Sequence, residues 1–155
     1  MTATNNTSVI ADRELVITRI FNAPRTLVFK AWSDPEHKKH WHGPEGFTVT
    51  DATANFKPGG SYRACLNAPD GTKHFVCGTY KVIKAPEKLV FTHGWEDENG
   101  ECPYETLVTI TFTDLGEKTR MDFHQAIFQS TESRDGHSMG WNSTFDRLGT
   151  YLETL

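Results

Sequence analysis

Trp141, Phe145, Leu148, Leu152 and Leu155 follow one another at steps of four, three, four and three. That spacing puts all of them on one face of an α-helix, expected over Gly136 to Leu155, with Asn142, Ser143, Asp146, Arg147 and Glu153 as its polar back. No other segment carries so long a helical period, and most of the chain before it reads as strands. A lone amphipathic helix after a run of strands must bury its stripe on one large apolar surface, and a sheet supplies it. The expected fold class is α+β, with an antiparallel sheet of six or seven strands wrapped around this long C-terminal helix. A functional site is expected in the space between the two.

The strands are marked by alternation and by their turns. Glu14 to Phe21 reads as the first, stopped by Asn22-Ala23-Pro24. Pro24 suits the first turn of a helix whose apolar side is Leu27, Val28, Ala31 and Trp32. Ser33-Asp34-Pro35-Glu36 repeats the signal for a second short helix, expected to reach about Trp41. Strands are then expected over Phe47–Phe56, Ser61–Asn67, His74–Lys84, Leu89–Trp95, Tyr104–Thr113 and Thr119–Phe128, and Gln129 to Asp135 as a polar bridge. Tight turns such as Ala68-Pro69-Asp70-Gly71 make consecutive strands antiparallel neighbours. Alternation assigns Tyr62, Ala64, Leu66, Val76, Gly78, Tyr80, Val82, Leu89, Phe91, His93 and Trp95 to the concave face. Val108, Ile110, Phe112, Met121, Phe123 and Gln125 continue that face, while Arg63, Lys81, Thr109, Thr111, Arg120 and Asp122 point to solvent.

A length of 155 residues suits a single domain, expected over 13–155 behind a disordered or loosely attached lead over 1–12. The net charge is only −4 and no basic stripe occurs, which argues against a nucleic-acid partner. No apolar run approaches membrane-spanning length, and Met1 to Ala11 lack the pattern of a signal peptide. Three cysteines without Cys-x-x-Cys spacing suggest a reducing cytoplasm, with Cys65 and Cys77 as thiols nearly opposite each other on a hairpin. No nucleophile elbow, phosphate loop, dinucleotide glycine pattern or metalloprotease motif is present, so neither cofactor nor metal is expected.

Several segments, taken in order, resemble a known family. They are Arg19-Ile20-Phe21-Asn22-Ala23-Pro24, Val28-Phe29-Lys30-Ala31-Trp32, Asp34-Pro35 and His40-Trp41-His42-Gly43-Pro44, then Phe56-Lys57-Pro58-Gly59-Gly60 and Gly78-Thr79-Tyr80. Pro86-Glu87-Lys88-Leu89-Val90-Phe91-Thr92 and Gly140-Trp141 complete the set. Together they resemble the family named after the activator of Hsp90 ATPase, within the START and Bet v 1-like superfamily. The resemblance implies the helix-grip fold and a cavity for lipids, polyketides, hormones or aromatic molecules; some members of the superfamily catalyse polyketide cyclisation. The eukaryotic co-chaperone has an additional N-terminal domain for which this chain has no room, so an Hsp90-type chaperone ranks last among its expected partners. His42 stands where the family usually has a second tryptophan, and His93 where an aromatic or apolar residue is common, which makes the expected cavity more polar.

Tyr62, Tyr80, His93, Trp95, Phe123, Gln125, Trp141 and Phe145 are expected to point into one space, with Leu66, Val108 and Met121 beside them. Large rings exclude water, and hydroxyl, imidazole and amide groups orient a ligand. Gly78 and Ala64 are expected to leave volume unfilled, and Gly140 to let the helix approach the sheet or a ligand closely. Trp41 and Met139 are expected at the entrance, where the competing reading is that Trp41 and Trp141 pack together and seal it. His37, His40 and His42 read as a solvated polar face, and His93 as an interior histidine that would need Tyr80 or Tyr104 as partner to act as acid or base. The leading expectation is a non-catalytic carrier or sensor of a small hydrophobic or aromatic ligand. A cyclase or dehydratase-like enzyme in the same cavity and a chaperone-binding module are the alternatives, and weak homodimer formation is left open.

Overall fold

The computed structural model describes residues 12–155, so the expected lead lies, apart from Asp12, outside the described residues. In chain order the elements are β1 (Leu15–Phe21), α1 (Arg25–Ser33), α2 (Pro35–Lys38), β2 (Thr48–Ala54), β3 (Ser61–Asn67) and β4 (Lys73–Lys84). There follow β5 (Lys88–Trp95), β6 (Glu105–Asp114), β7 (Thr119–Ala126) and α3 (Thr131–Leu152). The strands form one seven-stranded sheet in the order β1-β7-β6-β5-β4-β3-β2. Every pairing in it is antiparallel. Hairpin turns account for all neighbours except β1, which closes back onto β7 and pairs Leu15 with Gln125 and Phe21 with Thr119. Asp70-Gly71 makes the β3–β4 turn, where Gly71 has φ 90°, a conformation that glycine enters without steric cost. This is the helix-grip, Bet v 1-like fold.

Alternation predicted the concave face with one error. Tyr62, Ala64 and Leu66 are buried, as are Val76, Tyr80, Leu89, Phe91, Val108, Ile110, Phe112, Met121 and Phe123. Val82 is 43% exposed instead. Tyr80 pairs with Phe91 and Val82 with Val90, so β4 spends one extra residue between them. Such a bulge flips the faces of every residue beyond it, and Ile83 packs on the core in place of Val82.

The helices start where side chains can satisfy free amides. Asp34 accepts from the Glu36 amide at 2.9 Å with Pro35 in the first turn, so α2 begins as expected. It ends at Lys38, short of Trp41, and the chain continues in looser turns. Ser130 accepts from the Ser133 amide at 3.0 Å, so α3 begins five residues before Gly136, inside the stretch expected as a bridge. Capping chemistry, not apolar period, set that boundary. α3 ends at Leu152, which leaves Leu155 outside the helix and half exposed, while Trp141, Phe145, Leu148 and Leu152 are buried. The polar back does more than meet water. Arg19 of β1 donates to Asp146 at 2.8 Å and to Asn142 at 3.0 and 3.1 Å, tying the edge strand to the helix.

The cysteine pairing also differs from expectation. Cys65 pairs in register with Phe75 and Cys77 with Arg63, so the two cysteines are diagonal, not opposite. Cys77 forms a disulfide with Cys102, and Cys65 is a buried free thiol. Cys77 faces Gly94 across β4–β5, and a side chain on Gly94 would lie 3.5 Å from the Cys102 Cβ. The tighter approaches there are to the Tyr104 carbonyl and the Glu105 Cγ, at 3.0 and 3.1 Å, so the bare position accommodates the start of β6. No helix among the described residues is long and apolar enough to cross a membrane.

Candidate functional site

A cavity of about 250 Å³ lies between the N-terminal half of α3 and the end of the sheet where β5 finishes. The helix contributes Gly136, His137, Gly140, Trp141 and Thr144; the sheet contributes Leu66, His74, His93 and Trp95. The segment after α2 closes the third side with His42, Gly43, Pro44 and Phe47. Arg147 holds that segment in place. Its guanidinium donates to the carbonyls of Gly43, Pro44 and Phe47 at 2.9, 3.0 and 3.2 Å, so this member of the polar back anchors the cavity wall.

The small residues do not all serve the purpose expected of them. A Cβ on Gly140 would meet only the Pro44 Cγ at 3.7 Å, and one on Gly136 would meet nothing within 4 Å. Neither glycine is needed for close approach; both leave the helix face bare where it borders the cavity. Gly78 is the opposite case. A Cβ there would collide with the Thr92 carbonyl and lie 2.6 Å from the Tyr62 ring. Tyr62 lies across Gly78 and donates to the Thr92 carbonyl at 2.7 Å, so that volume is filled by protein.

Behind the cavity lies a buried polar network whose directions can be assigned. An indole N–H only donates, so Trp141 Nε1, 2.8 Å from Gln125 Oε1, identifies that atom as the amide oxygen. Gln125 Nε2 therefore donates, to Thr106 Oγ1 at 2.8 Å and towards His93 Nδ1 at 3.4 Å. Thr106 passes its own proton to the His93 carbonyl at 3.1 Å. With Nδ1 as acceptor, neutral His93 carries its proton on Nε2, beside the cavity. Burial, then the charges of His137 and Lys38, pull the His93 pKa down to about 3, so the ring is neutral at ordinary pH.

Two other histidines of the wall, His42 and His137, are shifted the same way for the same dominant reason. Burial, reinforced by Lys38, His93 and Arg147, holds His42 well below the usual imidazole range, and burial lowers His137 as well. His137 donates from Nδ1 to the Ser133 carbonyl at 2.8 Å and accepts the Trp95 indole N–H on Nε2 at 3.0 Å, so both its nitrogens are occupied. His42 stacks on Trp141 with ring centroids 6.4 Å apart and planes 22° from parallel. The cavity thus presents rings, two bare glycines and, on His93, an Nε2–H free to donate, with the rings of His42 and His74, unpartnered among the described residues, beside it.

Of the residues expected at the site, Leu66, His93, Trp95 and Trp141 line the cavity. Gln125 stands one layer behind, and Phe123 and Phe145 support Trp141 at 4.8 and 5.4 Å. Val108 and Met121 are wholly buried core. Tyr62 and Tyr80 do not line the cavity; they pack with Phe56 and Phe91, which Trp32 joins to Trp141. Trp41 does not line the cavity and has no ring pairing with Trp141: fully buried, it packs on Trp32 at 4.8 Å and donates to the Ala31 carbonyl at 3.3 Å. Met139 is 77% exposed and lies outside the cavity wall. Neither tyrosine proposed to partner His93 does so; the Tyr104 hydroxyl donates to the Ile127 carbonyl instead.

His42 departs from the solvated face expected of it, because the turn after α2 swings it inward while His37 and His40 gather on Tyr151. Sequence reasoning also missed His137, Thr144 and Phe47. The repeat Gly136, Gly140, Thr144 at steps of four, small residues on one helical face, was the available signal for a bare wall. Among the described residues no group of three or more His, Cys, Asp or Glu side chains converges as a metal site would.

Comparison with known proteins gives one family and one fold. The family model described as "Activator of Hsp90 ATPase homolog 1-like protein" matches residues 22–153. No curated protein sequence matches. Among solved structures, a protein from Arthrobacter aurescens is 27% identical, with TM-score 0.84, covering 94% of this chain and 88% of that one. A protein from Chromobacterium violaceum has TM-score 0.82 at 24% identity, covering 91% and 97%. The AHSA1 protein from Silicibacter pomeroyi has the same score and identity, covering 91% and 98%; at that identity the likeness concerns the fold.

Proposed function

The chain belongs to the Activator of Hsp90 ATPase homolog 1-like family, and from that premise we propose that it is a non-catalytic carrier or sensor of a small, largely aromatic molecule bearing an oxygen acceptor. The observation that carries this reading is the cavity of about 250 Å³, walled by rings and by two helix glycines that no protein contact requires. An apolar cavity of roughly 150 Å³ takes up benzene, and sites for drug-sized ligands span roughly 300–1,000 Å³. One or two fused rings therefore fit. Selectivity comes from His93 Nε2–H, which meets an acceptor and rejects a donor. The same proton argues against His93 as the base in the enzyme reading. A neutral imidazole whose Nδ1 is engaged and whose Nε2 carries hydrogen has no lone pair facing the cavity with which to act as base.

The pair 1-indanone and indane tests the reading, since they differ by the carbonyl that His93 would meet. Saturable quenching of tryptophan emission is expected for both, tighter for the ketone. Gly140→Leu, which fills the cavity from the helix side, should abolish both titrations while the protein stays folded. Absence of binding to the parent protein, or binding that Gly140→Leu leaves intact, would remove the cavity from consideration. Turnover of the ketone, lost in His93→Phe, would move the assignment to the enzyme reading.

A further inference from the structure

On the far side of His42 lies a second, much smaller space, a cleft of about 20 Å³ between α2 and the β2–β3 edge. It shares only His42 with the main cavity, so the fate of one site does not decide the other. Its wall includes Trp32, Lys38, Val49, Ala52, Tyr62 and Tyr80. Lys38 is half-buried, and its ammonium stands over three rings. Lys38 Nζ is 5.1 Å from the Tyr62 ring centroid, 5.7 Å from that of Trp32 and 5.8 Å from that of Phe91.

Neighbouring cations are neutralised and Lys38 is not. Lys39 pairs with Glu36 at 2.7 Å, and Arg63 pairs with Glu96. No carboxylate or hydrogen-bond acceptor among the described residues meets Lys38 Nζ. A second donor belongs to the same wall: the buried Trp32 Nε1–H has no partner in the protein. Ring faces partly offset the burial of an ammonium but accept none of its three hydrogens in the way an oxygen does. Two donors of one wall with no acceptor in the protein, beside a space of about 20 Å³, suit an oxygen acceptor brought from outside, and the ammonium favours an anionic one.

We propose that this cleft is a binding site for the carboxylate of a small organic acid, held by the Lys38 ammonium and the Trp32 indole N–H. The aromatic box decides between the two uses of a buried lysine. Ring quadrupoles favour the charged ammonium over the free amine, so the site suits anion capture and not imine formation with a carbonyl. Burial brings Lys38 down to about 8, so it is mostly protonated at neutral pH. The other groups around it are Tyr62 on β3, Tyr80 on β4, His93 on β5 and His42, with Lys39 and Arg63 at the rim. Both histidines are neutral and both tyrosines are held protonated by burial, so none supplies an anion or competes for one.

Acetate and propionate, with acetamide and propionamide as neutral isosteres, test this at fixed ionic strength on the full chain. Binding is read from the Trp32 indole N–H and the Lys38 side-chain nitrogen by magnetic resonance. The acids should bind about tenfold more tightly than the amides at pH 7, as a charged hydrogen bond warrants. That preference should fade as pH rises through about 8 and Lys38 loses its proton. Lys38→Met should abolish the preference, and Lys38→Arg should carry it to higher pH. If Lys38→Met does not fold, the pH titration of the parent protein decides alone. Equal affinity for acid and amide, no saturable binding of either acid, or a preference that survives in Lys38→Met overturns the proposal. So does selective reductive trapping of propionaldehyde on Lys38, which would make it an amine nucleophile.

Discussion

Replacing Gly136 and Gly140 by alanine should make the protein more stable and its cavity worse. Both glycines lie inside α3, a helix of 22 residues, and neither has a positive φ. The nearest atom to an added Cβ is 3.7 Å away at Gly140, an ordinary contact, and none lies within 4 Å at Gly136. With no clash to offset it, each change should recover the helix-propensity difference of about 1 kcal/mol. The double variant should then gain about 2 kcal/mol, which for a chain of this size is roughly 4–8 °C in Tm. Each methyl also removes on the order of one water's share of volume, about 30 Å³, from the cavity. Urea titration of the single and double variants, followed by 1-indanone binding, separates the two effects. A gain in stability with unchanged binding would show that the glycines are not kept for the cavity. No gain at all would show that the first half of α3 does not form the helix described.

Three further outcomes follow from the same geometry. Trp141→Phe leaves the fully buried Gln125 amide oxygen without its donor, and should cost about 1–3 kcal/mol in urea titrations; a loss within about 0.5 kcal/mol would deny the network its role. His42 and His93 have folded pKa values below the ordinary 6.5, so the unfolded chain binds more protons in acid. Stability should be complete above about 6.5 and fall as pH drops below it, by about 1.4 kcal/mol per pH unit for His93 down to about pH 3, with His42 adding to the same loss; a flat urea midpoint between pH 7 and 5 would contradict it. Arg147→Met should release the segment after α2, seen as faster hydrogen exchange at the Glu45 and Phe47 amides, which bond to Ser143 Oγ and the Pro44 carbonyl; unchanged exchange there would show that the segment holds itself.

Period and punctuation determined most of the architecture before any contact was known. The stripe from Trp141 to Leu152 has one buried face in any compact fold, and the alternation of β6 and β7 has one inward face. Both are local properties, fixed by the 3.6- and 2-residue repeats of the backbone. Tertiary structure alone decided where that local logic breaks. The bulge after Tyr80 exposes Val82 because β4 must reconcile its twist with β5, which no count along one strand reveals. His42 and His37 lie in one short histidine-rich stretch, yet one faces the cavity and the other Tyr151, because the direction of a turn depends on what it packs against. Tyr62 and Tyr80 share the concave face with His93 and still miss the cavity, since one wide curved face is filled with rings at one place and left open at another. The proton on His93 Nε2 and the orphaned pair Lys38 and Trp32 are the furthest from the sequence. Each depends on which donors meet which acceptors across elements distant in the chain, and that matching exists only once the sheet has closed on the helix.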